Sequence, residues 1–149
     1  MPVMAVARFE RFFRATAGLD VDKDDLKRYS GFVDHKLYDL LIIARDTAKW
    51  NGRDVIEPPD IPITKGLQEC MRDYRDLDEE IELTPILEQL AAHPPLDIAL
   101  SEASEQRLVP TVGAISVALA RAFRMLDPKA RNPTSVHWER AFRLFDLLL

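Results

Sequence analysis

The hydrophobic residues of the first half recur at the spacing of one long helix. Between residues 22 and 50 they fall three or four positions apart, on one face of an α-helix: Leu26, Tyr29, Val33, Leu37, Leu40, Ala44 and Ala48. Asp22 precedes this stripe and can cap the helix, and the pair 51–52, Asn-Gly, tolerates the left-handed conformation of a helix C-terminus. The pattern predicts a helix of about 28 residues, or about 42 Å.

A shorter helix is predicted on each side of the long one. The first covers residues 5–17, whose phenylalanines share one face, and it ends at Gly18. The other begins at the proline pair 58–59, because proline is well tolerated in the first turn of a helix, and its apolar positions continue to Tyr74. This part of the chain is therefore predicted to fold as a short, a long and a short helix.

The second part of the chain repeats this order. Thr84 is predicted to cap a short helix that has Pro85 in its first turn. A long apolar stripe follows at steps of three and four residues: Leu108, Val112, Ile115, Leu119, Ala122 and Leu126. A last helix covers residues 134–149. No alternating run predicts a strand of any length, so the fold class is all-α.

The two sets of helices define the predicted organisation. We assign a first unit to residues 1–76, an acidic connector to residues 77–83 and a second unit to residues 84–149, all within one compact domain. Neither unit can cover the apolar stripe of its own long helix. Two units that cross can bury both stripes, which would supply the core of the fold.

Charge is unevenly distributed along the chain. The net charge is −5, yet residues 57–110 carry thirteen acidic and four basic side chains, a net of −9. Residues 111–149 carry six basic and three acidic side chains. A nucleic-acid-binding protein usually presents a strongly basic face. This sequence has no such face in bulk, although a local one could form.

Composition also bears on the compartment. The chain has no run of 18 consecutive apolar residues, so neither a membrane-spanning helix nor a membrane partner is expected. Its N-terminus lacks the apolar core and cleavage site of a signal peptide, and a cytoplasmic localisation is therefore expected. The single Cys70 excludes an internal disulfide framework and a multi-cysteine metal site.

A search for catalytic chemistry finds no constellation that supports an enzyme. The sequence has no nucleophile elbow, phosphate-binding loop, dinucleotide-binding motif or zinc-protease motif. His35 and Asp39 stand four residues apart and could share a metal, but two ligands do not make a site, and a solvated helix face is the simpler interpretation. Cys70 and Trp50 are expected in the core. No cofactor and no metal are predicted.

The loop after the long helix carries a more specific pattern. Residues 52–61 read Gly-Arg-Asp-Val-Ile-Glu-Pro-Pro-Asp-Ile, and this pattern between a long and a short helix resembles the histone fold. In that family the loop arginine pairs with the aspartate seven residues later, which implies a structural clamp between Arg53 and Asp60. Two such units in one chain resemble the uncharacterised bacterial and archaeal histone-fold doublets. The resemblance implies two tandem histone folds packed as an intramolecular pseudodimer.

The sequence departs from the DNA-wrapping histones in several places. It is acidic, and Val55 and Glu57 stand where that family places a threonine and a lysine beside the loop arginine. In the second unit, Arg131 and Glu139 are the candidates for the clamp pair. Because affinity for DNA rests largely on neutralised phosphates, strong wrapping of DNA is not expected.

Two functions are consistent with these features. The first is a non-enzymatic pseudodimer that associates with a protein partner or with itself. The alternative is a histone-like DNA-binding protein with weak, salt-sensitive backbone contacts, made by basic residues and one threonine: Arg8, Arg11, Arg14, Arg53, Lys129, Arg131 and Thr134. The arginines at 8, 11 and 14 recur every three residues and would equally form a solvated face paired with acids. A small helical enzyme or metal-binding bundle is a third class, which no motif supports.

Overall fold

Helices account for most of the fold. The structure, a computed structural model, describes residues 3–93 and 95–149. The helices are α1 (Val3–Ala17), α2 (Lys23–Trp50), α3 (Lys65–Ile81), α4 (Thr84–Leu90), α5 (Glu102–Leu126) and α6 (Ser135–Leu148). The other regular elements of this part of the chain are the strands β1 (Val55–Ile56) and β2 (Ala99–Leu100) and a 3-10 turn at Pro58–Asp60. The predicted all-α class is confirmed at this level.

The long helix α2 has the bounds that its pattern predicts. Its N-terminus is fixed by a capping box, in which Asp25 N–H donates to the Asp22 carboxylate over 2.8 Å and Asp22 N–H donates to the Asp25 carboxylate over 3.0 Å. Its C-terminus is followed by Gly52, whose φ of 72° lies in the left-handed region. Local chemistry therefore sets both ends of this helix.

The third helix begins later than the prolines predict. The proline pair 58–59 forms a 3-10 turn that ends at Asp60, and α3 starts only at Lys65. Thr64 caps α3 by accepting a hydrogen bond from a backbone N–H of its first turn over 3.2 Å. The prediction of a helix from the prolines was wrong because the Asp60 carboxylate is held by the loop that precedes it, which turns the chain there.

The acidic connector predicted at residues 77–83 is mostly helical. α3 continues through most of it, and only Glu82, with a left-handed φ of 58°, and Leu83 join α3 to α4. Thr84 does not cap α4 as predicted. The Asp78 carboxylate does so instead, because it accepts the backbone N–H groups of Leu83 and Thr84 over 2.7 and 2.8 Å. One residue of the acidic segment thus has a structural role.

Two reciprocal loop contacts join the halves of the chain. β1, in the loop after α2, pairs in parallel with β2, in the loop before α5, with Val55 opposite Ala99. The loop before α2 in turn contacts the loop after α5, where Asp20 N–H donates to the Arg131 carbonyl over 2.7 Å. Each half therefore supplies one loop to each contact.

The two long helices meet in a buried polar contact. The hydroxyl oxygens of Tyr29 on α2 and Ser116 on α5 lie 2.6 Å apart, and Ser116 donates to the Val112 carbonyl, so Tyr29 is the donor within the pair. Phe9 and Phe13 of α1 pack on the Tyr29 ring, with ring centroids 5.1 and 5.4 Å away. Burial raises the pKa of Tyr29, which keeps this hydroxyl protonated.

α5 runs through the centre of the core. Among the helices of the described residues, only α5 is long and apolar enough to cross a membrane, yet 67% of its most apolar stretch is buried inside the protein. It packs most extensively against α3, where Gly113 faces the ring of Tyr74. Packing within the protein therefore accounts for its apolar character.

α6 is anchored along the first half of α2. At its start, the Trp138 indole N–H donates to the buried Asp25 carboxylate over 2.9 Å. Further along, Phe142 and Phe145 both pack against Phe32 of α2, with ring centroids 5.0 Å apart in each pair. These contacts fix the position of α6 and therefore the direction of its last turn.

Candidate protein-association surface

An apolar groove lies between α3, α5 and α6. Its volume is about 600 Å³. The start of α3, the second half of α5 and the end of α6 supply its lining, which is mostly apolar: Leu67, Cys70, Ala118, Ala122, Met125, Leu126, Leu144, Phe145, Leu148 and Leu149, with Thr64, Gly66, Glu69 and Arg121 at the remaining positions. Concave apolar surfaces of this kind have the shape and composition of ligand-binding sites.

The shape of the groove follows from the sizes of its residues. α5 contributes Ala118 and Ala122, whose short side chains leave room between the larger residues of α3 and α6. At the edges, Met125 is 79% exposed and Leu148 is 68% exposed, and Leu147 beside it is 80% exposed. Single exposed apolar residues are ordinary, whereas a contiguous apolar patch marks an interaction site.

The charged residues at the rim are paired. Arg121 Nη2 lies 2.7 Å from the Asp73 carboxylate, and Lys65 Nζ lies 3.4 Å from the Glu69 carboxylate. Of these four residues, Glu69 and Arg121 line the groove, and they carry opposite charges. The groove is therefore close to neutral, although the segment that supplies α3 is strongly acidic.

Cys70 lies on the α3 wall of the groove. Its side chain is buried, and this burial raises the pKa of the thiol, while nearby Arg121 acts in the opposite direction and is the smaller influence. The thiol is therefore protonated near neutral pH. Its burial agrees with the expectation that Cys70 lies in the core.

The loop after α2 brings together Arg53 and Asp60, the predicted clamp pair. Arg53 donates from Nη1 and Nη2 to the two carboxylate oxygens of Asp60 over 2.5 and 2.6 Å, and Glu57 N–H donates to the same carboxylate over 2.8 Å. Asp60 is buried and Arg53 is half-buried. The hydrogen bonds from Arg53 hold the pKa of Asp60 below its usual range, and they raise the pKa of Arg53. Arg53 is thus already paired with Asp60, and a phosphate would have to compete with that carboxylate for it.

The corresponding loop of the second half is held by a different pair. His137 Nε2 lies 3.1 Å from the Asp127 carboxylate, whereas the predicted pair was Arg131 and Glu139, both of which are exposed. The backbone N–H of Lys129 and then His137 hold the pKa of Asp127 below its usual range. His137 can hold this loop because it lies in the first turn of α6, next to the loop.

The basic residues predicted to contact phosphate are spread over three places. Arg8 donates to the Glu82 carbonyl over 3.2 Å, and Arg11 is exposed on the same helix. Arg53 belongs to the loop that carries β1. The remaining candidates gather where the loop before α2 meets the loop after α5: Arg14, whose Nε lies 3.3 Å from Asp20, the exposed Lys129 and Arg131, and Thr134, which caps α6.

One group of side chains has the composition of a metal site. His35, Asp39 and Asp146 each place a possible ligand atom within 4.8 Å of the others. Lys36 Nζ lies 3.2 Å from the Asp39 carboxylate and contacts that of Asp146, and its hydrogen bond holds the pKa of Asp146 below its usual range. An ammonium group therefore already contacts both carboxylates and offsets one of their two charges, which disfavours a second cation.

Exposure is the property that sequence reasoning missed. Trp50 was expected in the core and is 90% exposed, because it is the last residue of α2 and lies beyond the packed part of that helix. Leu126, which belongs to the predicted apolar stripe of α5, packs against the core and also lines the groove, as does Leu149. The available signal was the leucine run 147–149, since three consecutive residues cannot all face one side of a helix.

Comparison with known proteins places the chain in a family. The family described as a domain of unknown function, DUF1931, matches residues 9–146, and the chain belongs to it. A Thermus thermophilus protein of known crystal structure is 54% identical, with 97% of each chain covered and a TM-score of 0.85. Protein AQ328 from Aquifex aeolicus, at 21% identity, has the same fold, with a TM-score of 0.84 over 97% of this chain and 95% of that one.

Two curated relatives both come from Aquifex aeolicus. An uncharacterized Aquifex aeolicus (strain VF5) protein is 26% identical over 95 residues, which cover 64% of this chain and 56% of that protein. A second uncharacterized protein of that strain is 30% identical over 137 residues, which cover 83% of this chain and 80% of the relative. The chain thus spans little more than half of the first relative and most of the second.

Proposed function

We propose that this chain is a non-enzymatic histone-fold pseudodimer that associates with proteins through the apolar groove. The observation that carries the proposal is the groove itself, beside which Met125, Leu147 and Leu148 are exposed. Burial of apolar surface is the main favourable term in most protein association. This groove is therefore the surface from which binding of a partner would gain most.

Three features support the histone-fold part of the proposal. Each half contains a short, a long and a short helix, and the halves exchange loop contacts reciprocally. Arg53 pairs with Asp60, seven residues later, as the resemblance implies. The long helices of the two halves meet at Tyr29 and Ser116, and α5 packs most extensively against α3, a helix of the other half.

The chemistry of the groove supports binding rather than catalysis. Its charged lining residues, Glu69 and Arg121, are both engaged in ion pairs at the rim. Nucleophilic catalysis needs a base beside the nucleophile, and Cys70 has no imidazole among the described residues that line this groove. The groove is consequently suited to binding a partner through complementary shape and apolar contacts.

Capture of protein partners tests the proposal. Leu148→Asp places a carboxylate at the edge of the groove, where a partner would have to desolvate it, and Leu148 is too exposed for the change to disturb the core. We expect proteins captured from a cell extract by the immobilised wild type to fall at least about tenfold with Leu148→Asp, a loss of about 1.4 kcal/mol or more in binding. Mass spectrometry of the captured proteins provides the readout.

A matched control lies on the same helix. Val136 is 52% exposed, is absent from the groove lining and lies in the first turn of α6, where an acidic residue is well tolerated. Val136→Asp should therefore retain every protein that the wild type captures. Equal capture by the wild type and both variants would show that the groove is not the binding surface.

The second candidate function, weak binding of DNA, is favoured by one cluster. Lys129 and Arg131 are exposed near the N-terminus of α6, and Arg14 is brought to the same end of the molecule through Asp20. A helix N-terminus and nearby basic groups suit a phosphate. The acidic net charge limits the affinity, since such binding depends on the number of neutralised phosphates.

Fluorescence anisotropy with labelled duplex DNA tests this alternative. With about three phosphate contacts, affinity should fall by roughly 500-fold between about 20 and 200 mM salt. Arg131→Ala should weaken binding and lower the slope of log affinity against log salt by about 0.9. Lys65→Ala, at a fully solvated position far along the chain from the cluster, should leave the slope unchanged. Absence of binding at low salt would remove DNA from consideration.

A further inference from the structure

We propose that the partner in the groove is a second copy of this chain, bound through the same groove across a two-fold axis. The inference rests on the proposed function and specifies its partner. A two-fold interface uses one patch twice, so that patch must be complementary to itself in both shape and charge. The groove and its surroundings meet both requirements.

Shape complementarity follows from the end of α6. The patch contains a cleft between α3, α5 and α6, and it also contains the side chains that could fill such a cleft. Leu147 and Leu148 are both largely exposed in the last turn of α6, and Met125 is exposed at the end of α5. Two copies related by a two-fold axis can each insert these side chains into the groove of the other.

Charge complementarity follows from the lining of the groove. Glu69 on α3 and Arg121 on α5 stand on different walls and carry opposite charges. A two-fold axis that passes between the walls brings Glu69 of each copy towards Arg121 of the other. Together with Lys65 and Asp73, their partners within each chain, these residues would form two symmetric networks of ion pairs around an apolar centre. A polar rim around an apolar centre is a common arrangement of a protein interface.

The distribution of the remaining charge favours this patch over other faces. Two copies of a chain with a net charge of −5 repel each other overall, and contact through a neutral surface adds least to that repulsion. The exposed acidic residues Asp76, Glu79 and Glu80 lie in the last turns of α3, whereas the groove uses its first turns. A second copy can therefore cover the groove without bringing the two acidic ends together.

Sedimentation velocity and light scattering of the full chain test the inference. We expect the wild type to shift from monomer to dimer between about 1 and 500 µM, with a Kd of roughly 10 µM. Leu148→Asp should raise the Kd at least about 30-fold, since the residue of each copy that enters the groove of the other would then carry a carboxylate. Val136→Asp should dimerise as the wild type does. A wild type that stays monomeric at about 500 µM, or dimerises as well with Leu148→Asp, overturns the inference.

A charge exchange tests the two-fold geometry directly. Glu69→Arg and Arg121→Glu, made in separate chains, each place like charges across both contacts of their own dimer, and each should weaken dimerisation by about tenfold. An equal mixture of the two variants restores opposite charges at both contacts, so a mixed dimer should form with an affinity near that of the wild type. Failure of the mixture to recover affinity would exclude this pairing, even if a dimer exists. Circular dichroism confirms that both variants are folded.

The outcomes separate this inference from the proposed function. If the wild type is monomeric but capture of other proteins is lost with Leu148→Asp, the groove is an association surface and its occupant is a different protein. If the wild type is monomeric and capture does not depend on Leu148, both the inference and the proposed function fail. A dimer that Leu148→Asp abolishes supports both.

Discussion

Gly113→Ala is expected to lower the free energy of unfolding by about 3 kcal/mol, and the melting temperature by about 9 °C. A Cβ atom placed on Gly113 would lie 2.4 to 2.6 Å from three atoms of the Tyr74 ring. The ring has little freedom to move, because it is buried and its hydroxyl lies 2.7 Å from that of Thr84. The added methyl group would therefore force α3 and α5 apart.

Gly31→Ala is the matched control for this substitution. Gly31 also lies within a long helix, but a Cβ atom there meets nothing within 4 Å. Alanine is favoured over glycine in a helix by roughly 1 kcal/mol, so Gly31→Ala should leave stability unchanged or raise it. Urea unfolding followed by circular dichroism distinguishes the two variants. Equal stabilities for both would show that the contact between Gly113 and Tyr74 can relax freely.

The close approach at Gly113 also affects the candidate site. α3 and α5 form two of the three walls of the apolar groove, and their spacing is set where the glycine admits the Tyr74 ring. A change that separates these helices would widen the groove. Gly113→Ala is therefore expected to weaken association through the groove, even though Gly113 itself does not line it.

The helical layout was predictable because much of it depends on local chemistry. The apolar stripe of α2, its aspartate cap and the glycine after it all lie within one stretch of chain, and the structure reproduces both ends of that helix. The pairing of Arg53 with Asp60 was also accessible, since the resemblance of the loop pattern to the histone fold implies it. Both the ends of α2 and this pair are formed by residues that are close neighbours in the sequence.

The features that were missed depend on residues distant in the sequence or on burial. The N-terminus of α4 is capped by Asp78, which reaches it only because α3 extends further than the prediction allowed. A periodic stripe identifies the apolar face of a helix but not which positions of that face find a partner. Leu148 and Trp50 are exposed for this reason, and three separate helices had to be placed before the groove existed.

Asp60→Ala is expected to lower the free energy of unfolding by about 3 kcal/mol near pH 7, because charge-assisted hydrogen bonds to a buried carboxylate are lost together. The Asp60 carboxylate accepts two bonds from Arg53 and one from the Glu57 N–H, and these bonds hold the turn that leads to α3. Asp54→Ala is the control, since Asp54 belongs to the same loop and is exposed. Thermal unfolding of the wild type and the two variants should show a lower melting temperature for Asp60→Ala alone.

The pH dependence provides an independent test of the same contact. Hydrogen bonds from Arg53, and to a smaller extent from the Glu57 backbone, hold the pKa of Asp60 below the value of about 3.9 that it has when unfolded. Such a group stabilises the fold fully above its unfolded pKa, and this contribution is lost as the pH falls through the folded pKa. The stability difference between wild type and Asp60→Ala should therefore be largest near neutral pH and should narrow below about pH 4. A difference that stayed constant down to about pH 2 would mean that the clamp does not depend on the charge of Asp60.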